Sequence, residues 1–207
     1  MKRGLFITLE GGEGAGKSTA MQVVGDWLSK RGHDVVVTRE PGGTPAAERI
    51  RELLLDPETG SLHALSELLL MFAARNENLA TLIRPALARG QAVISDRFTD
   101  ASHAYQGGGR ELGPEVVEAL AELVHGDLQP DLTLLLDVPV ALGLERIAAR
   151  GGEPDRMEQN RPDFLERVRQ AYLDRARREP DRFAVIDATQ PIERVADEIR
   201  RVLEARL

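Results

Sequence analysis

Cysteine is absent from the 207 residues, which excludes disulfides and thiolate metal sites, and four histidines leave little for a zinc site. Any metal should therefore be a hard ion held by oxygen. Long hydrophobic runs are missing too: Met1-Lys2-Arg3-Gly4 leads into only about six apolar residues, too few for a signal peptide or a membrane span. The expectation is a cytoplasmic protein with no membrane partner. Net positive charge is lacking, with 34 acidic against 27 basic residues and a balance of −7, so no nucleic-acid polymer is expected as a partner. Lysine is scarce, 3 against 24 arginines, so arginine clusters must have local tasks. No repeat, linker or low-complexity tract divides the chain, and 42% hydrophobic content is ample for one core, which predicts a single domain over 1–207.

What is present is organised around Gly11-Gly12-Glu13-Gly14-Ala15-Gly16-Lys17-Ser18-Thr19. Its spacing fits G-x-x-x-x-G-K-[ST], between an apolar run, Leu5-Phe6-Ile7-Thr8-Leu9, and a helix-like segment from Lys17. That is the setting a phosphate loop requires. Glycines let successive backbone N–H groups turn toward a phosphate, Lys17 reaches the outer phosphates, and the Ser18 hydroxyl is placed to ligate Mg²⁺. The plain alternative is a Gly-rich turn between a strand and a helix.

Leu5–Glu10, Val35–Thr38, Ala92–Ser95, Leu132–Leu136 and Phe183–Ile186 read as strands, most of them continuous apolar runs. Helical patterns alternate with them, at Lys17–Arg31, Ala46–Leu55, a long segment after Ser61 as N-cap, Pro114–His125, from about Ala141, Pro162–Arg178 and Pro191–Leu207. Pro85 should kink or end the long helix, and Gly107-Gly108-Gly109 reads as a flexible break. The pattern predicts an α/β, three-layer phosphate-loop fold: a five-stranded parallel sheet with helices on both faces. Ligands in such folds sit beyond the carboxyl ends of the strands. Four segments should meet there: the phosphate loop, Arg39-Glu40-Pro41-Gly42, Asp96-Arg97-Phe98 and Asp137.

Phosphoryl transfer needs positive charge on the moving group. The variable loop positions Gly12, Glu13, Gly14 and Ala15 contain no base, so Arg146, Arg150 and Arg156, in and beside a Gly/Pro-containing flap at about 146–160, are the expected source. The alternative is that they are solvated arginines at a helix end.

The chain resembles the bacterial thymidylate kinases, within the phosphate-loop nucleoside monophosphate kinases, along nearly its whole length. The resemblance rests on residues 10–18, Thr-Arg-Glu-Pro-Gly-Gly-Thr (38–44), Phe-Ala-Ala-Arg (72–75), Asp-Arg-Phe (96–98), Ala-Tyr-Gln-Gly-Gly-Gly-Arg (104–110) and Pro-Asp-Leu-Thr (130–133). It implies transfer of the γ-phosphate of ATP to dTMP, with Mg²⁺, in a homodimer. By the same resemblance, residues Gly11 to Thr19 bind ATP with Arg146, Arg150 and Arg156. Lys17, Asp96, Arg97 and Arg150 serve catalysis, and Ser18 holds the metal with Asp96 and Glu40, the last two through water. Arg97 holds the acceptor phosphate, Glu13 accepts from the sugar 3′-hydroxyl, Arg75, Ser102 and Gln106 bond the thymine edge, Tyr105 crowds C2′, and Arg51 lies near the pocket. Many relatives place a base-stacking aromatic four residues before the arginine; here that position is Met71, with Phe72 one place later and preferred. The two side chains point about 100° apart on a helix. A kinase for another monophosphate, or a nucleotide-dependent switch or ATPase, are the competing readings.

Overall fold

A computed structural model describes residues 3–151 and 155–207. Five parallel strands form one sheet: β1 (Phe6–Glu10), β2 (Val35–Arg39), β3 (Ala92–Asp96), β4 (Leu132–Asp137) and β5 (Phe183–Asp187), in the order β2-β3-β1-β4-β5. The central strand β1 is buried along its full length, Leu9 facing Asp96 of β3 and Leu134 of β4 across the ladder. Side chains alternate between the two faces, as the pleat requires. Ile7, Leu9, Ile94 and Leu134 pack with α1 (Lys17–Lys30) and, at the C-terminus, Ile199 and Leu203. Phe6, Val93 and Phe98 pack on the other face against Leu79, Ile83 and Leu87. Both faces are covered, so the strands carry continuous apolar runs instead of alternation. Thr8 and Thr133, polar and fully buried, satisfy each other across β1 and β4 at 2.9 Å.

The remaining helices are α2 (Pro45–Leu55), α3 (Ala64–Asn78), α4 (Arg84–Ala88), α5 (Thr99–Ser102), α6 (Pro114–Val124), α7 (Val140–Arg150), α8 (Pro162–Arg178) and α9 (Ile192–Arg206). Thr44 caps α2 through the Ala47 N–H, but Ser61 does not cap α3. Gly60 turns in the left-handed region at φ 68°, an irregular stretch follows, and α3 begins only at Ala64 behind His63. Pro85 acts upstream of itself. Regular winding ends at Asn78 and a π-helical stretch, Leu79–Ile83, leads into α4, the looser turn accommodating a residue that cannot donate a backbone hydrogen bond.

The Gly107–Gly109 break is not there. A second π-helical stretch, His103–Gly109, runs through it, and Gly108 and Gly109 serve close packing on α8. A Cβ on Gly108 would stand 2.7 Å from the Ala171 Cβ, and one on Gly109 2.6 Å from the Phe164 ring. In the expected flap, helix α7 continues to Arg150 and turns resume at Arg156, while Gly152, Glu153 and Pro154 lie outside the described residues.

Candidate active site

The loops at the carboxyl ends of β1, β2 and β3 open onto one cavity of about 610 Å³. It lies where the chain, having left β1, turns first to one side of the sheet and later to the other, the place such sheets offer to ligands. Its wall holds Glu13 to Ser18 of the loop, Glu40, Arg51, Arg75, Asp96, Arg97, Ser102, Tyr105, Gln106, Arg146 and Arg150. Asp137 is not part of it. Both its oxygens accept from Arg169 of α8, at 2.8 and 2.9 Å, beside a much smaller void.

The loop end of the cavity is built for an anion. Gly14 and Gly16 take left-handed φ values of 71° and 89°, curling the backbone before the amino terminus of α1. Ser18 stands exposed on the first turn, whereas Gly11, Gly12 and Thr19 do not line the cavity. Lys17 folds back on the loop, donating to the carbonyls of Gly11 at 3.4 Å and Gly12 at 3.3 Å. Burial and then the neighbouring Arg97 charge lower its ammonium below the usual lysine value. Close packing sets the loop against α7: a Cβ on Gly143 would come within 2.5 Å of the Glu13 carbonyl oxygen.

Arg97 occupies the centre in a left-handed backbone conformation, φ 72°, which a non-glycine residue adopts only when its surroundings enforce it. Its Nη1 donates to the Gly11 carbonyl at 2.9 Å and to the Tyr172 hydroxyl at 3.0 Å, and its Nη2 to Glu13 at 2.8 Å and to the Tyr105 hydroxyl at 3.1 Å. Tyr105 in turn donates to Glu13 at 2.6 Å. Burial alone would raise the Glu13 carboxyl, but Arg97 and then Lys17 outweigh it and hold it at about 2. Glu13 is thus a standing carboxylate, an acceptor that does not titrate near neutrality.

Beneath this group lies Glu10, a buried acid on which the motif reading placed no role. Its two oxygens accept from the Phe98 N–H at 2.7 Å and the Tyr172 hydroxyl at 2.8 Å. Burial, reinforced by Asp100, pushes it up to about 8. Glu10 and Tyr172 together support the Arg97 guanidinium from below, through partners that no local motif joins.

Arg75 shapes the far end. It is 2% exposed and pinned by Glu40 at 2.6 Å, by the Phe98 carbonyl and Ser102 hydroxyl at 3.1 Å each, and by the Phe72 ring 4.4 Å beneath it. Phe72, preferred for the base, is thus buried under Arg75 and does not line the cavity. It is buried with Leu68 and Val117, and the neighbouring Met71, turned by one residue, lines the cavity. Gln106, also lining the cavity, donates its amide to Glu67 at 2.9 Å.

Of the expected arginines, Arg156 is withdrawn from the cavity. It bonds the Leu54 carbonyl and Glu67, because the buried Glu67 carboxylate needs cations more than the solvated loop does. Arg146 lies on the loop, reaching the Gly14 carbonyl at 3.4 Å and the Ala188 carbonyl at 2.9 Å. Arg150 is well exposed at the rim and pairs with Glu158 at 2.7 Å. Arg51, anchored on the Pro41 carbonyl at 2.9 Å, faces the same space.

Four buried side-chain polar atoms lack a partner among the described residues, and three belong to the cavity wall: Glu40 Oε1, Arg75 Nη1 and Asp96 Oδ1. An unpaired buried polar atom is costly. Three around one cavity mark a site that a polar ligand completes.

The family model described as thymidylate kinase matches residues 9–199. This chain belongs to the thymidylate kinase family. It is 58% identical over 203 residues to a thymidylate kinase of Pseudomonas putida (strain W619), covering 98% of this chain and 96% of the relative. It is also 58% identical over 208 residues to one from Chromohalobacter salexigens, covering 100% and 98%. The crystal structure of thymidylate kinase from Ehrlichia chaffeensis superposes with a TM-score of 0.79 at 36% identity, covering 98% of this chain and 99% of that one. The thymidylate kinase fold, a five-stranded parallel sheet with helices around it, is what the strand pattern predicted. Among the described residues no helix is long and apolar enough to cross a membrane.

Proposed function

We propose that this thymidylate kinase seats dTMP between Arg75 and Arg97 and ATP on the phosphate loop, and moves the γ-phosphate onto the dTMP phosphate, leaving dTDP and ADP. The observation that carries the reading is the set of unpartnered atoms around the cavity. Arg75 has spent Nε and Nη2 on the protein and keeps Nη1, a pure donor suited to thymine O4; cytosine presents an amino donor there. Tyr105 stands beside Glu13, so a sugar 3′-hydroxyl donating to Glu13 brings C2′ against the ring, where a ribose hydroxyl would not fit. Met71 covers the base. Arg97 and Arg51 hold the acceptor phosphate, and Arg97 leaves Glu13 in part to do so.

On the donor side Lys17 exchanges the loop carbonyls for phosphate oxygens. Arg146 and Arg150, in the last turns of α7, bring charge to the moving group, Arg150 giving up Glu158. A resident Mg²⁺ suits the residues present: hard oxygen donors at Ser18 and at the unpartnered Asp96 oxygen, with Glu40 behind, and no cluster of three acidic or histidine ligands among the described residues. That set is what an ion completed by phosphates and water uses. When bound, it neutralises charge on the transferring phosphates. The chain's own groups supply alignment and a dry, preorganised field.

Two further parts of the reading are a cytoplasmic setting and a homodimer. Leu65 and Leu69, one turn apart on α3 and each about half exposed, with Leu53 of α2, present an apolar face to a second copy. Light scattering of the purified protein at micromolar concentration measures it. For the activity, the test is ADP release with ATP and Mg²⁺ across a panel of monophosphates. The expected order is dTMP, then dUMP, with dCMP, UMP, AMP and GMP poor. Equal release without any monophosphate would instead mark an ATPase.

A further inference from the structure

Glu67 lies outside the cavity, is fully buried on α3, and has no part in the motifs. Four donors converge on it: Gln106 Nε2 at 2.9 Å and Arg110 Nε at 3.2 Å on one oxygen, Arg110 Nη2 at 3.1 Å and Arg156 Nη2 at 2.8 Å on the other. Both arginines are held independently, Arg110 by Asn160 and the Phe164 ring, Arg156 by the Leu54 carbonyl. Burial opposes the charge on Glu67, yet the bonds from Arg110 and Gln106 outweigh it and keep the carboxyl below its usual value. An ionised carboxylate accepts hydrogen bonds and donates none.

A glutamine amide has a donor end and an acceptor end, and alone it can turn over by 180° at little cost. Beside an acceptor-only neighbour it cannot. We propose that Glu67 sets base selectivity from behind the site by fixing the Gln106 amide with its nitrogen inward, so that its carbonyl oxygen is presented to the base. An acceptor at this place matches the N3–H of thymine and opposes the bare N3 of cytosine, while Arg75 matches O4. The two residues then read adjacent positions of one base edge with opposite polarity. Arg110 and Arg156 act only by keeping Glu67 charged. This inference rests on the dTMP reading above and assigns Glu67 as a positioning residue that never touches substrate.

The test compares kcat/KM for dTMP and dCMP, with ATP and Mg²⁺, in the parent and in Glu67→Gln. A neutral amide at 67 can donate as well as accept, so the Gln106 amide is free to turn. The dTMP-to-dCMP ratio is expected to fall about tenfold or more, through a higher KM for dTMP and a lower one for dCMP, with kcat for dTMP little changed. Loss of structure alone would lower both substrates together and leave the ratio in place. If Glu67→Gln does not fold, Glu67→Asp decides: it keeps a charge for the two arginines but draws back from Gln106, and its ratio should fall at least threefold. A ratio within twofold of the parent, in Glu67→Gln or failing that in Glu67→Asp, overturns the proposal. A parent that does not prefer dTMP overturns the substrate reading instead, so the two failures are distinct.

Discussion

At the scale of single residues, the cations at the phosphate-loop end of the cavity are occupied by the protein's own acceptors. Lys17 rests on loop carbonyls and Arg97 on Glu13, arrangements that phosphates would replace in the proposed complex. Lys17→Ala should therefore keep the fold, since only loop carbonyls lose a partner, while kcat falls by about 10²–10³ or more, the size of effect seen when one preorganised donor to a developing charge is removed. Circular dichroism with steady-state kinetics checks both halves, and near-parental turnover would remove Lys17 from the chemistry. Glu10 gives a different prediction because its carboxyl is pushed up, from 4.5 to about 8. The fold then prefers the protonated acid. Its contribution to stability is complete below pH 4.5 and is lost as pH rises through about 8. Glu10→Gln, which carries no such proton, should gain on the parent by a few kcal/mol between pH 5 and pH 8.5, at about 1.4 kcal/mol per pH unit where only one state titrates. Urea midpoints at the two pH values measure it; parallel profiles would mean that Glu10 is ionised in the folded protein.

At the scale of elements, the catalytic loop is held by a helix that has no side chain at the point of contact. Backbone meets backbone where α7 crosses the loop at Gly143. Gly143→Ala should push α7 away, raise KM for ATP more than KM for dTMP, and cost about 1–3 kcal/mol of stability as overpacking does. Substrate titrations and denaturant melts of the variant provide the check, and an unchanged KM for ATP would show that the loop holds its shape unaided. The strands and the loop were legible in the sequence because both are local patterns: a run of apolar residues, and glycines at fixed spacing. The helix caps and glycine roles were less so. Ser61 has the chemistry of a cap without the geometry, and Gly108 and Gly109 look like flexibility until Ala171 and Phe164 are packed on them. Phe72 and Met71 differ by a rotation of one residue, which only the position of α6 decides. Arg156, Asp137 and Glu67 were misread or missed for one reason. Their partners lie far along the chain, and nothing local announces which buried carboxylate will claim which arginine.

At the scale of the molecule, substrate binding and folding stability are linked through the same cavity. Three unpartnered buried polar atoms face it, so ligands that pair them should raise the unfolding temperature as well as occupy the site. dTMP at 100 times its Kd should add about 2.7 kcal/mol, and dCMP at the same concentration far less. Differential scanning fluorimetry reads this without turnover, and equal shifts for both nucleotides would argue against a base-reading pocket. The sheet also has a second end, at the amino ends of the strands, where Arg3 clamps Asp131 through two bonds of 3.0 Å and none of the described residues lines the cavity. His33 is exposed there, just before β2, in a chain without cysteine. His33→Cys would give the molecule a single thiol pointing away from its mouth. Coupled through that thiol to a bead or an electrode, the kinase should work at its solution rate, whereas a tether at Glu158, whose side chain lines the cavity, should slow it; the polarity of a parallel sheet thus makes this protein an orientable surface catalyst.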